Sequence, residues 1–266
     1  MLFQSKLKVA RAAHQAPADL LRWLKRSAAP SEWLFPRHCA LCAAPGAGLC
    51  VACVEDARSP VRIGCACCAA ALHSRGSSTQ LCGACLKRPP AYDATVAAAA
   101  YVAPFDQLIL ALKFHAQLAY TPLFAELLAS AISVWPNSAS AAGSTALPRD
   151  RLDVLVPVPL STDRLRERGF NQALEIARPL GKSLEIRVDA SAAVRVFDTP
   201  PQASLRFEAR RKNIRGAFAV KAPMQGLRVG VVDDVMTTGS TLHELAKALK
   251  KAGAAEVVNL VVARTP

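Results

Sequence analysis

The sequence predicts an α/β protein in which a parallel sheet is flanked by helices, with a small cysteine-rich domain ahead of it. The first observation is a strand, a polar loop, a helix and a second strand within residues 227–262, and such β-loop-α-β units are typical of parallel sheets. The second is another apolar run, which starts at Leu152, ends in prolines and precedes a basic loop and a helical stretch. The third is the confinement of all nine cysteines to residues 39–85.

The composition fits a folded domain with anionic partners. With 266 residues, 52% of them hydrophobic, the chain can bury the core of one good-sized domain and something smaller, which excludes a disordered protein. No apolar run approaches the length needed to span a membrane. The formal net charge of +13 favours phosphates, nucleotides or nucleic acid as partners, although many basic proteins bind none of these.

Residues 1–30 are predicted to form a basic extension. They contain a single acid, Asp19, against six basic residues: Lys6, Lys8, Arg11, Arg22, Lys25 and Arg26. Because they lack the apolar core of a signal peptide, we expect a solvated, poorly ordered segment, with a membrane-surface or partner helix as the alternative. Clustered cysteines without a secretory signal predict reduced, metal-binding thiols and a cytoplasmic location.

Eight of the cysteines form four Cys-x-x-Cys knuckles. Two knuckles supply the four thiolates of a closed tetrahedral shell, so we predict one or two structural Zn²⁺ ions. The simplest pairing joins the first knuckle with the second and the third with the fourth, and an interleaved pairing is the alternative. Redox-active thiols are disfavoured because thioredoxin-type pairs do not occur in fours, and Cys67 is expected to be a bystander. The predicted ligands are Cys39, Cys42, Cys50, Cys53, Cys65, Cys68, Cys82 and Cys85.

The middle of the chain is predicted to be helical, with periodic apolar positions at 105–115 and 122–135, followed by a linker at 137–148.

After the strand from Leu152, a basic loop at 164–172 precedes a helix that runs to about Leu180. Arg166 and Arg168 of this loop can grip a pyrophosphate bidentately, at the sheet edge where ligand groups converge. The alternative is the solvated start of a basic helix.

The polar loop after the apolar run at 227–232 has the composition of a phosphate site. Its hydroxyls and the amides of the following helix can donate to phosphate oxygens, while the carboxylates of Asp233 and Asp234 suit a vicinal diol or a hydrated Mg²⁺. A phosphate at one end and a diol at the other describe a ribose 5-phosphate. The alternative is an ordinary strand-to-helix turn. The loop residues are Thr237, Thr238, Gly239, Ser240 and Thr241.

Residues 231–241, Val-Val-Asp-Asp-Val-Met-Thr-Thr-Gly-Ser-Thr, resemble the motif with which the type I phosphoribosyltransferase fold binds phosphoribosyl pyrophosphate (PRPP). The resemblance implies that Asp233 and Asp234 are the catalytic acids that hold the ribose hydroxyls, that residues 237–241 cradle the 5-phosphate, and that Mg²⁺ accompanies PRPP. The pyrophosphate loop then comprises Arg166, Arg168 and Gly169. Thr237 stands where purine-salvage members of the hypoxanthine type place an acid, so that activity is not expected.

The knuckles, the run Arg-Gly-Phe-Asn-Gln at 168–172, the segment 199–218 and the acidic loop together resemble the ComF family, bacterial competence proteins that join a double zinc ribbon to a phosphoribosyltransferase domain. The pair Lys113-Phe114 matches the family as well. The resemblance implies a role in natural transformation and DNA uptake, with single-stranded DNA and a competence helicase as partners. The basic extension and the linker lie outside the family's usual pattern. With them, the chain is expected to divide into the extension (1–30), the double ribbon (31–90), a helical hood segment with the linker (91–150) and the phosphoribosyltransferase core (151–266).

Two hypotheses for the function remain open on the sequence. The first is a phosphoribosyltransferase that transfers the pentosyl group of PRPP to an acceptor that no residue identifies. The second is a non-catalytic module that binds nucleic acid or a protein partner on a retained phosphoribosyltransferase fold. The segment 199–218, with Gln202, Arg210 and Arg211, is predicted to be a flexible flap over the pyrophosphate, and an arginine patch for nucleic acid is the alternative.

Overall fold

The computed structural model describes residues 38–45, 48–58, 64–72, 81–134, 152–196 and 214–266. These residues all belong to the unit from His38 to Pro266. The predicted N-terminal extension, the linker at 137–148 and the flap residues Gln202, Arg210 and Arg211 lie outside the described residues.

A four-stranded parallel sheet forms the centre, in the order β1 (Ala94–Ala100), β6 (Glu256–Arg264), β5 (Arg228–Met236) and β2 (Val154–Pro157). The two central strands are β-branched runs buried on both faces, as parallel strands covered on both sides require. This confirms the predicted α/β fold.

Helices surround the sheet and join its strands. They are α1 (Val51–Arg58), α2 (Gly83–Lys87), α3 (Phe105–His115), α4 (Thr121–Ser133), α5 (Thr162–Arg168), α6 (Gln172–Leu184) and α7 (Ser240–Lys251), with a short 3₁₀ turn at Leu118–Tyr120. A separate antiparallel ribbon pairs β3 (Ala193–Arg195) with β4 (Phe218–Val220). In the described part of the chain, no helix combines the length and apolarity that crossing a bilayer requires.

The stretch that the sequence predicted as a basic loop is largely helical. Ser161 caps α5, since its Oγ accepts a hydrogen bond from the amide of Arg164 at 3.5 Å, and Gly169 ends the helix at φ 77°. The side chain of Asn171 then caps α6 by accepting from the amide of Ala173 at 3.0 Å. Because an uncapped first turn leaves amides unsatisfied, these two polar residues explain why two helices follow β2 in succession.

Strand β1 was not predicted, because its sequence, Ala-Thr-Val-Ala-Ala-Ala-Ala, favours a helix by propensity. It is held as a strand by tertiary contacts. Val96 pairs in register with Leu260 of β6, and just before the strand Asp93 exchanges hydrogen bonds with Val257, donating its amide at 2.9 Å and accepting at its carboxylate at 2.7 Å. Burial and pairing with β6 thus outweigh the preference of alanine.

The two faces of the sheet carry separate cores, because successive side chains of a strand point to opposite sides. Val232 and Leu260 pack on the face covered by α3, α4 and α6, where Cys39 also lies. Val231 and Val261 pack on the other face, with residues of α7 and β4 and with the buried cysteines Cys65, Cys68 and Cys85. The first two knuckles therefore contact one face of the sheet, and the last two contact the other.

Candidate functional site

The two predicted acids and the polar loop after them lie at the carboxyl edge of the sheet. Strand β5 ends in Asp233 and Asp234, residues 237–239 form the loop that follows, and α7 begins at Ser240. Helices α3 and α5 follow the carboxyl ends of β1 and β2 and reach the same edge. In open parallel sheets this edge is where ligands bind.

Residues 237–241, which comprise the loop after β5 and the first two residues of α7, are called the phosphate loop below. Gly239 takes the left-handed conformation at φ 74° and precedes α7 without offering a side-chain cap, so first-turn amides face outward without helical partners. The hydroxyls of Thr238 and Ser240 lie 2.9 Å apart, and Thr238 Oγ1 also accepts from the amide of Ser240 at 3.3 Å. The loop therefore presents hydroxyls and amides on one short turn, which is a donor set for phosphate oxygens.

Asp234 is a buried carboxylate, and the described residues offer a hydrogen-bond donor to only one of its two oxygens. The residue is 4% exposed. Its Oδ1 accepts from the amide of Val235 at 2.6 Å and lies 3.1 Å from the Nζ of Lys113. Its Oδ2 is buried and has no hydrogen-bond partner among the described residues. Since a buried oxygen without a donor is costly, this atom is suited to accept from a ligand hydroxyl.

Asp233 is half-buried, and its Oδ1 accepts a hydrogen bond from the amide of Asp234 at 2.9 Å. Burial and the neighbouring charge of Asp234 raise the pKa of the Asp233 carboxyl to about 8, against the opposing effect of the Lys113 ammonium. Near neutral pH Asp233 is therefore largely protonated, which reduces the repulsion between the two neighbouring acids.

Lys113 and Phe114 belong to the site, although the sequence assigned them no role. The side chain of Lys113 is 19% exposed where it meets Asp234, whereas Phe114 is 66% exposed. The guanidinium carbon of Arg168 lies 5.5 Å from the centre of the Phe114 ring, within the range of a cation–π contact. The structure thus joins predicted residues of β5 and α5 through two neighbours in α3, and only the family resemblance of the pair Lys113-Phe114 signalled them.

The remaining residues of the predicted pyrophosphate loop are Arg166 and Gly169. Arg166 lies 3.7 Å from the carboxylate of Asp163, and both side chains are exposed, so this pair contributes little to stability and leaves the guanidinium accessible. Gly169 forms the turn between α5 and α6 at φ 77°. Their assignment to pyrophosphate stays a prediction.

The eight knuckle cysteines form two clusters. The first cluster is Cys39, Cys42, Cys50 and Cys53, the second is Cys65, Cys68, Cys82 and Cys85, and within each cluster all sulfurs lie within 4.8 Å of one another. The structure thus brings the knuckles together in the simplest pairing. Cys67 and His38 belong to neither cluster.

The sulfur geometry fits a tetrahedral zinc ion. Cys42 and Cys50 lie 3.6 Å apart in the first cluster, and so do Cys68 and Cys82 in the second, while Zn–S bonds of about 2.3 Å imply an edge of about 3.8 Å. In each cluster one sulfur also accepts a backbone hydrogen bond, from Cys50 to Cys39 at 3.4 Å and from Cys82 to Cys65 at 3.2 Å. Hydrogen bonding from the Cys68 thiol lowers the pKa of Cys65 to about 4, so this cluster readily supplies a thiolate.

Replacing Lys113 with methionine is expected to destabilise the protein by about 2–4 kcal/mol at pH 8, because it leaves the buried charge of Asp234 unpaired. Thermal and urea denaturation measure the loss. The variant Lys113→Met/Asp234→Asn should recover most of it, because the uncompensated charge is gone. Arg178→Met is the matched control: Arg178 pairs with Glu175 at 2.6 Å but is 60% exposed, so it should cost less than about 1 kcal/mol. Equal losses in both single variants would contradict a buried ion pair.

The chain is similar in sequence to known proteins, in and beyond the region of this site. Residues 170–266 match the phosphoribosyl transferase domain family. The chain is 35% identical over 234 residues to the DNA utilization protein YhgH of Salmonella typhi, covering 86% of this chain and 98% of that protein. It is 36% identical over 181 residues to competence protein F of Haemophilus influenzae, covering 67% of this chain and 76% of that protein.

Among solved structures, the purine phosphoribosyltransferase of Pyrococcus horikoshii aligns with 54% of this chain and 75% of its own, at 18% identity and a TM-score of 0.32. The similarity to YhgH covers 234 residues and therefore extends well beyond the matched domain at residues 170–266.

Proposed function

The chain belongs to the ComF family, and on that premise we propose that its phosphoribosyl transferase domain binds PRPP with Mg²⁺ at the carboxyl edge of the sheet and transfers the phosphoribosyl group. The observation that carries the proposal is the buried Oδ2 of Asp234, which accepts no hydrogen bond from any residue in the described ranges and lies one short turn from the phosphate loop. A diol acceptor beside a phosphate cradle describes a ribose 5-phosphate.

In this proposal, each part of PRPP is bound by a separate set of residues. Thr237, Thr238, Gly239, Ser240 and Thr241 hold the 5-phosphate, and Asp233 and Asp234 accept hydrogen bonds from the ribose hydroxyls. The pyrophosphate lies toward Arg166, Arg168 and Gly169, whose charges and amides stabilise the negative charge that develops as it leaves. Lys113 pairs with the carboxylate of Asp234 and holds it in place.

The carboxylates also fit Mg²⁺, since that ion favours one or two carboxylates together with water and substrate phosphates. Asp233 and Asp234 offer oxygens to its water shell, and the ion supplies neutralisation of the pyrophosphate charge. Breaking the bond at the anomeric carbon gives positive charge on the ribose, and the acid pair lies where its field stabilises that charge.

In this proposal the activity serves natural transformation, with single-stranded DNA and a competence helicase as partners. The names of the relatives, which concern competence and DNA utilization, and the net charge of +13 support it. The same two observations favour a second candidate, a nucleic-acid-binding module that retains the fold without turnover. The two cysteine clusters are proposed to hold structural Zn²⁺ in either case, because each is a closed four-sulfur set.

Calorimetric titration of the zinc-loaded protein with PRPP and Mg²⁺ tests the proposal, with ribose 5-phosphate as the control ligand. We expect micromolar, Mg²⁺-dependent binding of PRPP, on the order of −8 kcal/mol, and weaker binding of ribose 5-phosphate, which lacks the pyrophosphate. Absence of PRPP binding by a protein that binds single-stranded DNA would overturn the enzyme and favour the second candidate.

The affinity for PRPP should rise with pH between about 6.5 and 8 and level off above. Ribose hydroxyls donate to the ionised form of Asp233, whose pKa is about 8. Below that pH binding must release a proton, so affinity falls by up to tenfold per pH unit. Calorimetry in buffers of different ionisation enthalpy measures the released proton. Asp233→Asn, which has no proton to release, is the control and should bind weakly with a flatter profile.

The same group gives the opposite trend for the ligand-free protein. The folded pKa of Asp233 lies above the usual value of about 3.9, so its contribution to stability is greatest below pH 4 and is lost as the pH rises toward 8. Denaturation of the wild type and of Asp233→Asn across this range should show the wild type losing stability relative to the variant. A constant difference between them would contradict the raised pKa.

A further inference from the structure

We propose that Arg264 and Tyr92 are positioning residues that fix the phosphate loop against the second cysteine cluster, so that phosphate binding depends on metal in that cluster and not in the first. This inference rests on the proposed function for its ligand, but its structural part stands on contacts that involve no ligand.

Arg264 connects the second cluster to the base of the phosphate loop. At the end of β6, its Nε donates to the carbonyl of Cys68 at 3.0 Å. Its Nη1 donates to the carbonyl of Met236 at 3.3 Å and to the carbonyl and hydroxyl of Thr265 at 2.6 and 2.8 Å. Met236 is the last residue of β5 and directly precedes the loop. The guanidinium of Arg264 therefore bonds both to Cys68, a proposed metal ligand, and to Met236, the residue before the phosphate loop.

Thr265 extends this connection into the loop. Its amide donates to the carbonyl of Met236 at 3.1 Å, and its hydroxyl donates to the carbonyl of Thr237 at 3.5 Å. Since Arg264 donates to both polar oxygens of Thr265, it also orients this second set of contacts. The backbone on both sides of the loop's first peptide is thus held from the C-terminal end of β6.

Tyr92 provides a second connection, through packing. Its ring is buried among the residues that surround Cys65, Cys68, Cys85 and Met236, and its backbone carbonyl accepts from the thiol of Cys67 at 3.8 Å. Its hydroxyl lies so near Gly239 that a Cβ built there would be 2.9 Å away. The neighbouring Ala91 donates its amide to Nδ1 of His243 in α7 at 3.0 Å. Residues 91–92 therefore press against the loop and its helix.

The first cluster contacts a different part of the fold. Arg58, the last residue of α1, which contains Cys53, donates to the carbonyl of Leu127 in α4 at 3.4 Å. Gly48 packs close to the side chain of Leu123 in the same helix. Cys39 belongs to the core on the opposite face of the sheet from the second cluster. Loss of metal from the first cluster should therefore disturb α4 and leave the phosphate loop in place.

This asymmetry predicts a measurable difference between the clusters. A phosphate loop must present its amides and hydroxyls within a few tenths of an ångström, and a displacement of about 1 Å can cost about 100-fold. The variant Cys65→Ser/Cys68→Ser should lose one zinc ion and weaken PRPP binding at least tenfold. The matched variant Cys39→Ser/Cys42→Ser should also lose one zinc ion but keep its affinity within about twofold.

Replacing Arg264 tests the connection without touching a metal ligand, which matters if a cysteine variant fails to fold. Arg264→Met should retain both zinc ions by elemental analysis and weaken PRPP binding about tenfold, because the Cys68 and Met236 carbonyls lose their shared donor. Arg264→Lys, which can reach one carbonyl at a time, should fall between the two. Arg228→Met is the control, since Arg228 begins β5 at the opposite end of the sheet.

Hydrogen–deuterium exchange without PRPP separates this inference from the proposed function. Amides of residues 237–241 should exchange at least tenfold faster in Arg264→Met and in Cys65→Ser/Cys68→Ser, whereas in Cys39→Ser/Cys42→Ser the faster exchange should lie in α1 and α4. This readout holds even if PRPP is not the ligand. Equal protection of the loop in all variants, or equal loss in both cluster variants, would overturn the proposal.

Discussion

The double variant Asp233→Asn/Asp234→Asn is expected to lower the affinity for PRPP by at least 100-fold, without loss of the fold. Each hydrogen bond to a charged carboxylate contributes about 1.5–3 kcal/mol, and the ribose offers a hydroxyl to each acid. The sum of about 3–6 kcal/mol corresponds to about 10²–10⁴-fold, at 1.4 kcal/mol per factor of ten. Calorimetric titration with PRPP and Mg²⁺ at pH 8, close to the raised pKa of Asp233, measures the loss.

Stability provides the control for this variant. Asparagine has the shape of aspartate, and the change removes a repulsion and a desolvation that raise the pKa of Asp233, but it also leaves Lys113 without its charged partner, so a loss of about 2–4 kcal/mol is expected and binding is measured at a temperature where the variant is folded. Asp163→Asn changes an exposed acid of the neighbouring α5 and should bind PRPP within about twofold of the wild type. A folded double variant with unchanged affinity would show that the two acids do not hold the ribose.

The second large effect is expected for Gly239→Ala. At φ 74° an alanine costs about 1–2 kcal/mol in backbone strain, and its Cβ would lie 2.6 Å from Cε of Met236 and 2.9 Å from the hydroxyl of Tyr92. Overpacking of this kind costs about 1–3 kcal/mol more. Relief requires that the buried ends of the Met236 and Tyr92 side chains or the phosphate loop itself shift. We therefore expect a loss of stability of about 2–5 kcal/mol by urea denaturation and at least tenfold weaker PRPP binding.

Gly226→Ala isolates the backbone strain from the collision. Gly226 has almost the same conformation, φ 71°, but a Cβ there would meet nothing within 4 Å. It should lose about 1–2 kcal/mol and bind PRPP normally. If both alanine variants lose equal stability and both bind normally, close packing at Gly239 does not determine the shape of the phosphate loop.

Much of the fold was predictable because its determinants are local. The run 227–232, the helix that starts near Ser240 and the final strand each carry their own periodicity or β-branched composition. The cysteine clusters were predictable because spacing limits which thiolates can share an ion. The alanine-rich β1 was missed because its strand character comes from pairing with β6. Its residues alone indicate a helix.

The candidate site was predictable only where its residues are neighbours in sequence. Asp233, Asp234 and the phosphate loop occupy one short segment, whereas the contact of Lys113 with Asp234 and that of Arg168 with Phe114 join separate helices. The link from Arg264 to Cys68 spans 196 residues. Side-chain periodicity carries no information on such pairs, since they depend on how the sheet orders its strands.

That strand order has a consequence for how the chain folds. Asp93, at the start of β1, is bonded to Val257, 164 positions later, and β2 pairs with β5 across more than 70 positions. Strand β1 has no neighbour in the sheet until β6 exists, and before β5 forms β2 can pair only through the single bridge between Leu155 and Val188. Contacts of such large sequence separation slow folding, because the loop entropy is lost before the contacts form. On the ribosome, the alanine-rich strand β1 must therefore wait for β6, and shielding of β1 by chaperones should limit aggregation.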